Sequence, residues 1–201
     1  VFINIGPLVS FRKSSAPSLE NSLEPSGLGI VVEDGEIKTI KDSQELIDEY
    51  SIPEGRHSLI GETACFDLEG HAVVPGLIDG HTHLLWAGDR SKEITWRREG
   101  KSYADIASLG GGIQYTVQQT RAASDEALHL LGYQRLREAL RTGTTHLEAK
   151  SGYGLNVESE LRLLEVAERL NNNAHTPTID HTWMGAHDIP REQHADSYVE
   201  E

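Results

Sequence analysis

The sequence predicts a mixed α/β chain in two parts, a small β-rich segment over residues 1–74 and βα units on a parallel sheet from residue 75 onward. Three observations predict it. Residues 1–74 carry short apolar runs broken by turn dipeptides, Asp34-Gly35 and Glu69-Gly70 among them. From Pro75-Gly76 the pattern changes, and short strand-like segments at 77–79, 144–149 and 178–184 alternate with helical stripes, as in parallel strands joined by crossover helices. Each of those runs leads into a segment rich in glycine, histidine or tyrosine, at the strand end where barrel enzymes build active sites.

The elements follow in order. Val1–Ile5 reads as a strand, and Ser10–Gly27, rich in Ser and Pro, as a loop. Asp34-Gly35, set between alternating runs over 29–40, predicts a hairpin, because a type I′ turn needs positive φ at both central residues. A short helix is expected at Ser43–Tyr50, then a strand pair, Thr63–Leu68 with His71–Val74. Leu77-Ile78-Asp79 reads as a buried strand, Ser102 as the cap of a helix through Ser108, and Ile113–Arg121 as a further helix. Ser124, followed by Asp125 and Glu126, caps a helix with the stripe Leu128, Leu131, Leu136, Ala139 and Leu140, which Gly143 stops. Thr144–Ala149 is the next strand, and Asn156 caps a helix with the stripe Leu161, Leu164, Ala167 and Leu170. Thr178–Met184 is the third strand, and the last six residues read as part of a helix.

Composition narrows the function. At 201 residues, 37% hydrophobic and 25% charged, the chain has enough apolar surface for a packed core, which excludes a wholly disordered protein. Eighteen Lys and Arg against 32 Asp and Glu give a net charge of −14, which repels phosphate backbones and anionic lipid and argues against a nucleic-acid partner. The single cysteine, Cys65, leaves no internal disulfide and no thiolate-rich metal site, and fits a reducing compartment. No apolar run approaches the roughly 20 residues of a membrane helix, and Val1–Val9 is broken by Asn4, Gly6 and Pro7, so a soluble cytoplasmic protein without membrane partners is expected.

Three strand exits carry the chemistry. In Asp79-Gly80-His81-Thr82-His83 the two histidines lie at i and i+2 of an extended chain, on one face, where both imidazoles can reach one cation at about 2.0–2.1 Å; two histidines in an exposed loop is the plainer alternative. Lys150-Ser151-Gly152-Tyr153-Gly154 offers a phenol among glycines that allow close backbone approach, or simply a tight strand-to-helix turn. Gly185-Ala186-His187 places one more imidazole at the same edge. Arg90 suits a substrate carboxylate, with a salt bridge to Asp89 or Glu93 as the alternative. His146 and His181 are read as packing residues, and Gly110-Gly111-Gly112 lacks the residues of a phosphate loop.

Val74-Pro75-Gly76-Leu77-Ile78-Asp79-Gly80-His81-Thr82-His83 resembles the first-strand signature of the amidohydrolase superfamily. With Trp86-Ala87-Gly88-Asp89-Arg90, Gly110-Gly111-Gly112-Ile113, Thr120-Arg121, Glu148–Leu155 and Gly185-Ala186-His187, the stretch from about Val73 to Pro190 resembles the imidazolonepropionase family. The resemblance implies a (β/α)8 TIM-like barrel, of which about three strands are present in 75–201, and a small β-sandwich to which 1–74 contribute. It implies one Zn2+ (or Fe3+) held by His81 and His83 with a histidine and an aspartate from later strands, and substrate contacts by Arg90, Tyr153 and His187. It further implies hydrolysis of 4-imidazolone-5-propanoate to N-formimidoyl-L-glutamate in histidine degradation, by an enzyme that can form a homodimer. The acid–base carboxylate and the metal aspartate are expected beyond residue 201, so these residues alone are expected to be inactive and poorly folded, within a native protein about twice as long. A deaminase or another cyclic amidase of the same superfamily, and a non-catalytic truncated product, are the rival readings.

Overall fold

The computed structural model describes residues 1–10, 22–171, 173, 175–190 and 193–200, and the chain divides into two compact units, Val1–Pro75 and Gly76–Glu201.

The first unit holds β1 (Phe2–Ile5), β2 (Leu8–Val9), β3 (Leu23–Glu24), β4 (Leu28–Glu33), β5 (Glu36–Asp42), α1 (Ser43–Tyr50), β6 (His57–Ile60) and β7 (Thr63–Asp67). Five strands form one sheet in the order β5-β4-β1-β7-β6, and β2 pairs with β3. The β4–β5 hairpin turns where expected, with Asp34 at φ 51° and Gly35 at φ 77°, the left-handed pair a type I′ turn requires. Asp42 caps α1 by accepting from Gln44 N (2.8 Å), and Leu46 packs with Val1, Ile3, Val31, Ile52 and Cys65.

Two expectations fail in this unit. His71–Val74 does not pair with β7, whose antiparallel partner is His57–Ile60. Glu69 (φ 51°) and Gly70 (φ 79°) turn the chain away, and Val73 N then donates to Pro7 O, so the segment runs beside β2 instead. Of the loop expected at Ser10–Gly27, residues 11–21 lie outside the described residues, and Leu23–Glu24 is strand β3, not loop.

The second unit holds β8 (Leu77–Thr82), α2 (Lys92–Arg98), α3 (Tyr103–Ser108), α4 (Ile113–Ala122), α5 (Asp125–Arg141), β9 (Thr144–Lys150), α6 (Val157–Asn171), β10 (Thr178–Thr182) and α7 (Ala195–Glu200). The three strands run parallel in the order β10-β9-β8. Ser102 closes a capping box with Asp105 ahead of α3, and Ser124 caps α5 by accepting from Ala127 N. Leu147, Ala149 and Ile179, on one face of the sheet, pack with Leu128 and Leu136 of α5 and Leu163, Val166, Ala167 and Leu170 of α6. Each fully buried Leu or Val in this layer contributes about 1.5–3 kcal/mol.

The other face of the sheet is open. Ile78, His146, Glu148, Asp180 and Thr182 border a concavity of about 450 Å³ there. Leu77 (56% exposed) and Ile78 (72%) are therefore not buried as expected, because β8 is an edge strand and no described element packs over this face. Nor is His146 a packing residue, since its Nδ1 lies 2.8 Å from Thr178 Oγ1 and its Nε2 3.3 Å from Asp180. On the helices, Leu140 and Leu161 are exposed, and the α6 seam runs through Leu163 and Val166. Helix α2, unanticipated, buries only Glu93. Among the described residues no helix is long and apolar enough to cross a membrane.

Candidate functional site

Because β8, β9 and β10 are parallel, their C-terminal ends share one edge, and the residues that follow each strand meet there. At the end of β8, Asp79 Oδ1 accepts from His81 N (3.2 Å) and Thr82 Oγ1 donates to Glu148 O (2.8 Å), which pins the strand tip to β9. The imidazoles of His81 and His83 then stand 5.8 Å apart, centroid to centroid. His83 stacks on His187 at 4.4 Å with 17° between the planes, and Tyr153 lies 5.0 Å from His83 and 5.3 Å from His187. The structure thus brings His81, His83, Tyr153 and His187 from three strand exits into one cluster of rings.

Hydrogen bonding and burial set the chemistry of the cluster. The Nδ1 of His187 lies 2.9 Å from Gly152 O; a carbonyl can only accept, so Nδ1 carries the proton and Nε2 of a neutral His187 is left as an acceptor. Burial, reinforced by the nearby His187, pulls the His83 pKa below the ordinary imidazole range. The Nδ1 of His83 is buried and has no hydrogen-bond partner among the described residues. An orphaned imidazole nitrogen beside a second imidazole suits a cation of borderline softness, so the two histidines fit half of a tetrahedral zinc site. Among the described residues, no group of three or more His, Cys, Asp or Glu could hold a metal by itself.

Arg90 and Tyr153 border a second concavity of about 410 Å³, together with Trp86, Glu93, Arg97 and Thr116. Arg90 is not free within it. Its Nε donates to Glu93 Oε1 (2.7 Å) and its Nη2 to Glu93 Oε2 (2.9 Å), an arrangement that raises the pKa of the guanidinium and lowers that of the carboxyl. Asp89 is engaged by Ser91 N and Oγ and is not the partner.

Two supports escaped the sequence reading. The carboxylate of Glu160, fully buried, accepts from Gly152 N (2.5 Å), Gly154 N (2.8 Å) and Leu155 N (2.6 Å), gathering the loop that carries Tyr153. Arg121 donates to Gly154 O and Leu155 O from the other side. The only trace of this in the sequence is an acidic residue in the first turn of a helix, ordinary on helix-dipole grounds. Lys150, at the end of β9, pairs with Glu148 (2.5 Å), which also accepts from Thr182 Oγ1.

Set beside known proteins, the chain is matched by no family model. Imidazolonepropionase of Geobacillus kaustophilus is 40% identical to it over 200 residues, covering 96% of this chain and 45% of that protein. Imidazolonepropionase of Brevibacillus brevis is 44% identical over 173 residues, 85% of this chain and 39% of that protein, and that of Shewanella putrefaciens 43% over 175 residues, 85% and 40%. The chain is thus similar to imidazolonepropionases over most of its own length, and spans less than half the length of the curated relatives it matches. A solved structure of molinate hydrolase covers 90% of this chain and 29% of its own at 18% identity and a TM-score of 0.49, a likeness too loose to bear on function.

Proposed function

We propose that these residues form the N-terminal part of an imidazolonepropionase, a hydrolase that opens the cyclic amide of 4-imidazolone-5-propanoate to give N-formimidoyl-L-glutamate. The observation that carries the reading is the convergence of His81, His83, Tyr153 and His187 at one edge of a parallel sheet. The similarity to imidazolonepropionases over 96% of the chain supports it. In this reading the three parallel strands are the first of a (β/α)8 barrel, and the Val1–Pro75 unit is part of a β-sandwich.

His81 and His83 would hold a zinc or iron ion together with donors from the rest of the protein. When bound, such an ion lowers the pKa of a coordinated water from about 15.7 towards 7. The residues of this chain bind and orient the substrate. The Arg90 guanidinium receives the propanoate, while His187 Nε2, an acceptor by the tautomer argument above, takes a ring N–H. Tyr153, whose ring lies beside both imidazoles, donates its hydroxyl to the substrate oxygen on which negative charge develops. Water's oxygen bonds to the ring carbonyl carbon, the C–N bond breaks, and the freed nitrogen takes a proton.

The test is turnover by the full-length protein of 4-imidazolone-5-propanoate, with formimidoylglutamate as the measured product and metal content assayed in parallel. His81→Ala is expected to remove metal and turnover together, and Arg90→Ala to raise KM with a smaller effect on kcat. A wild-type protein that is inert towards this substrate but hydrolyses another cyclic amide or deaminates a base refutes the assignment.

A further inference from the structure

We propose that Glu93 is the positioning residue for the substrate carboxylate, fixing which edge of Arg90 meets the ligand. The inference rests on the reading of Arg90 as a substrate contact. A guanidinium has two forks of paired N–H donors, one of Nε with Nη2 and one of Nη1 with Nη2. Glu93 fills the first, at 2.7 and 2.9 Å. Nη1 has no hydrogen-bond partner among the described residues, so the second fork is the one left for an anion.

Glu93 is itself held in place. It is 5% exposed, although it lies on a helix whose other residues are not buried. Its Oε1 also accepts from Gly112 N at 2.7 Å. A Cβ at residue 111 would stand 2.8 Å from that same oxygen and 2.8 Å from Ile106 Cγ2, so the glycine leaves room for both. The triple glycine at 110–112, which lacks the residues of a phosphate loop, thereby has a role in the site: it seats the carboxylate that aims Arg90.

The charge count agrees. Glu93 offsets Arg90, but Arg97 borders the same concavity, so the two guanidiniums and one carboxylate leave it with one net positive charge. On a chain of net charge −14 that local excess favours an anionic substrate. An Arg90 without Glu93 would keep its charge and lose its orientation.

The experiment compares Glu93→Gln, Glu93→Asp and Arg90→Ala in the full-length protein, each with 4-imidazolone-5-propanoate and with the analogue whose carboxylate is a carboxamide. Glu93→Gln is expected to raise KM for the carboxylate substrate about tenfold while kcat changes less than about threefold. The same substitution should leave KM for the carboxamide within about twofold of the wild type, with Glu93→Asp falling between. Equal KM increases for both substrates would mean that Glu93 only stabilises the fold, and would overturn the proposal. So would an unchanged KM in Glu93→Gln where Arg90→Ala raises it. If Arg90→Ala leaves KM for the carboxylate unchanged, the underlying assignment of Arg90 fails instead. Should Glu93→Gln not fold, the carboxylate-to-carboxamide KM ratio of Glu93→Asp decides: a ratio shifted towards that of Arg90→Ala supports the proposal, and a wild-type ratio overturns it.

Discussion

Three backbone N–H groups converge on Glu160, while two backbone carbonyls of the same loop converge on Arg121. Five main-chain groups that would otherwise need water are satisfied by two side chains, and Leu155 is held at φ 51°, a conformation a leucine does not adopt unaided. Gly154 permits this packing, because a Cβ there would lie 2.6 Å from Glu160 N and 2.7 Å from Ser159 C, backbone atoms that cannot yield. Glu160→Ala leaves three buried N–H groups unpaired at about 1–3 kcal/mol each, so a loss of at least about 3 kcal/mol is expected in urea denaturation of the full-length protein. An unchanged midpoint would show that water replaces the carboxylate. The ring-bearing residues, by contrast, were legible in the sequence, because His81, His83, Tyr153 and His187 each follow a strand run within a few residues. Glu160 was not, since its role exists only once the chain between residues 151 and 156 has folded back on it.

At the scale of elements, the helices and strands that local chemistry announces were read correctly: the Asp34-Gly35 turn and the Ser102 and Ser124 caps all sit where expected. What failed were choices that depend on neighbours. α6 carries leucines at 161, 163, 164 and 170, and periodicity alone cannot say which of its faces meets the sheet; packing against Leu147 and Ile179 settles it for Leu163 and Leu170. The pair α5–α6 is further fastened by Asp125, which accepts from Arg162 Nε (2.6 Å) and Arg169 Nη2 (2.9 Å). Hydrogen bonding from Arg162, above all, depresses the Asp125 pKa. A carboxyl whose native pKa lies below its unfolded value of about 3.9 contributes stability above that pH and loses it as pH falls through the native value. Wild type and Asp125→Asn should therefore differ in stability at neutral pH and converge below about pH 3.9, as read by denaturation across pH 3–7. Parallel curves would mean that the ion pairs contribute nothing.

At the scale of the whole chain, the three parallel strands among the described residues cannot close a barrel, and there they leave β8 and β10 as edges with unpaired backbone groups. Two imidazoles likewise supply half of a tetrahedral donor set. Expressed by themselves, these 201 residues should aggregate, hold zinc substoichiometrically in equilibrium dialysis and show no turnover, whereas the full-length protein should hold one ion per chain. Stoichiometric zinc with activity in the short chain would contradict this. The barrel was read from the resemblance; pattern alone announced only alternating strands and helices.

The uncovered side of the sheet has one more implication. It presents His146, Glu148 and Asp180 with the hydroxyls of Thr178 and Thr182, where the faces of parallel sheets are more often lined by branched aliphatic side chains. These groups already pair among themselves, His146 with Thr178 and Asp180 and Glu148 with Lys150 and Thr182, so a surface that closes over them has to leave those pairs intact, since breaking a buried pair costs about 3–5 kcal/mol. Greasy surfaces tolerate sliding; ionic ones punish it. Closure here is selective for alignment, and a mispaired covering surface is rejected by the same charges that would bind the right one.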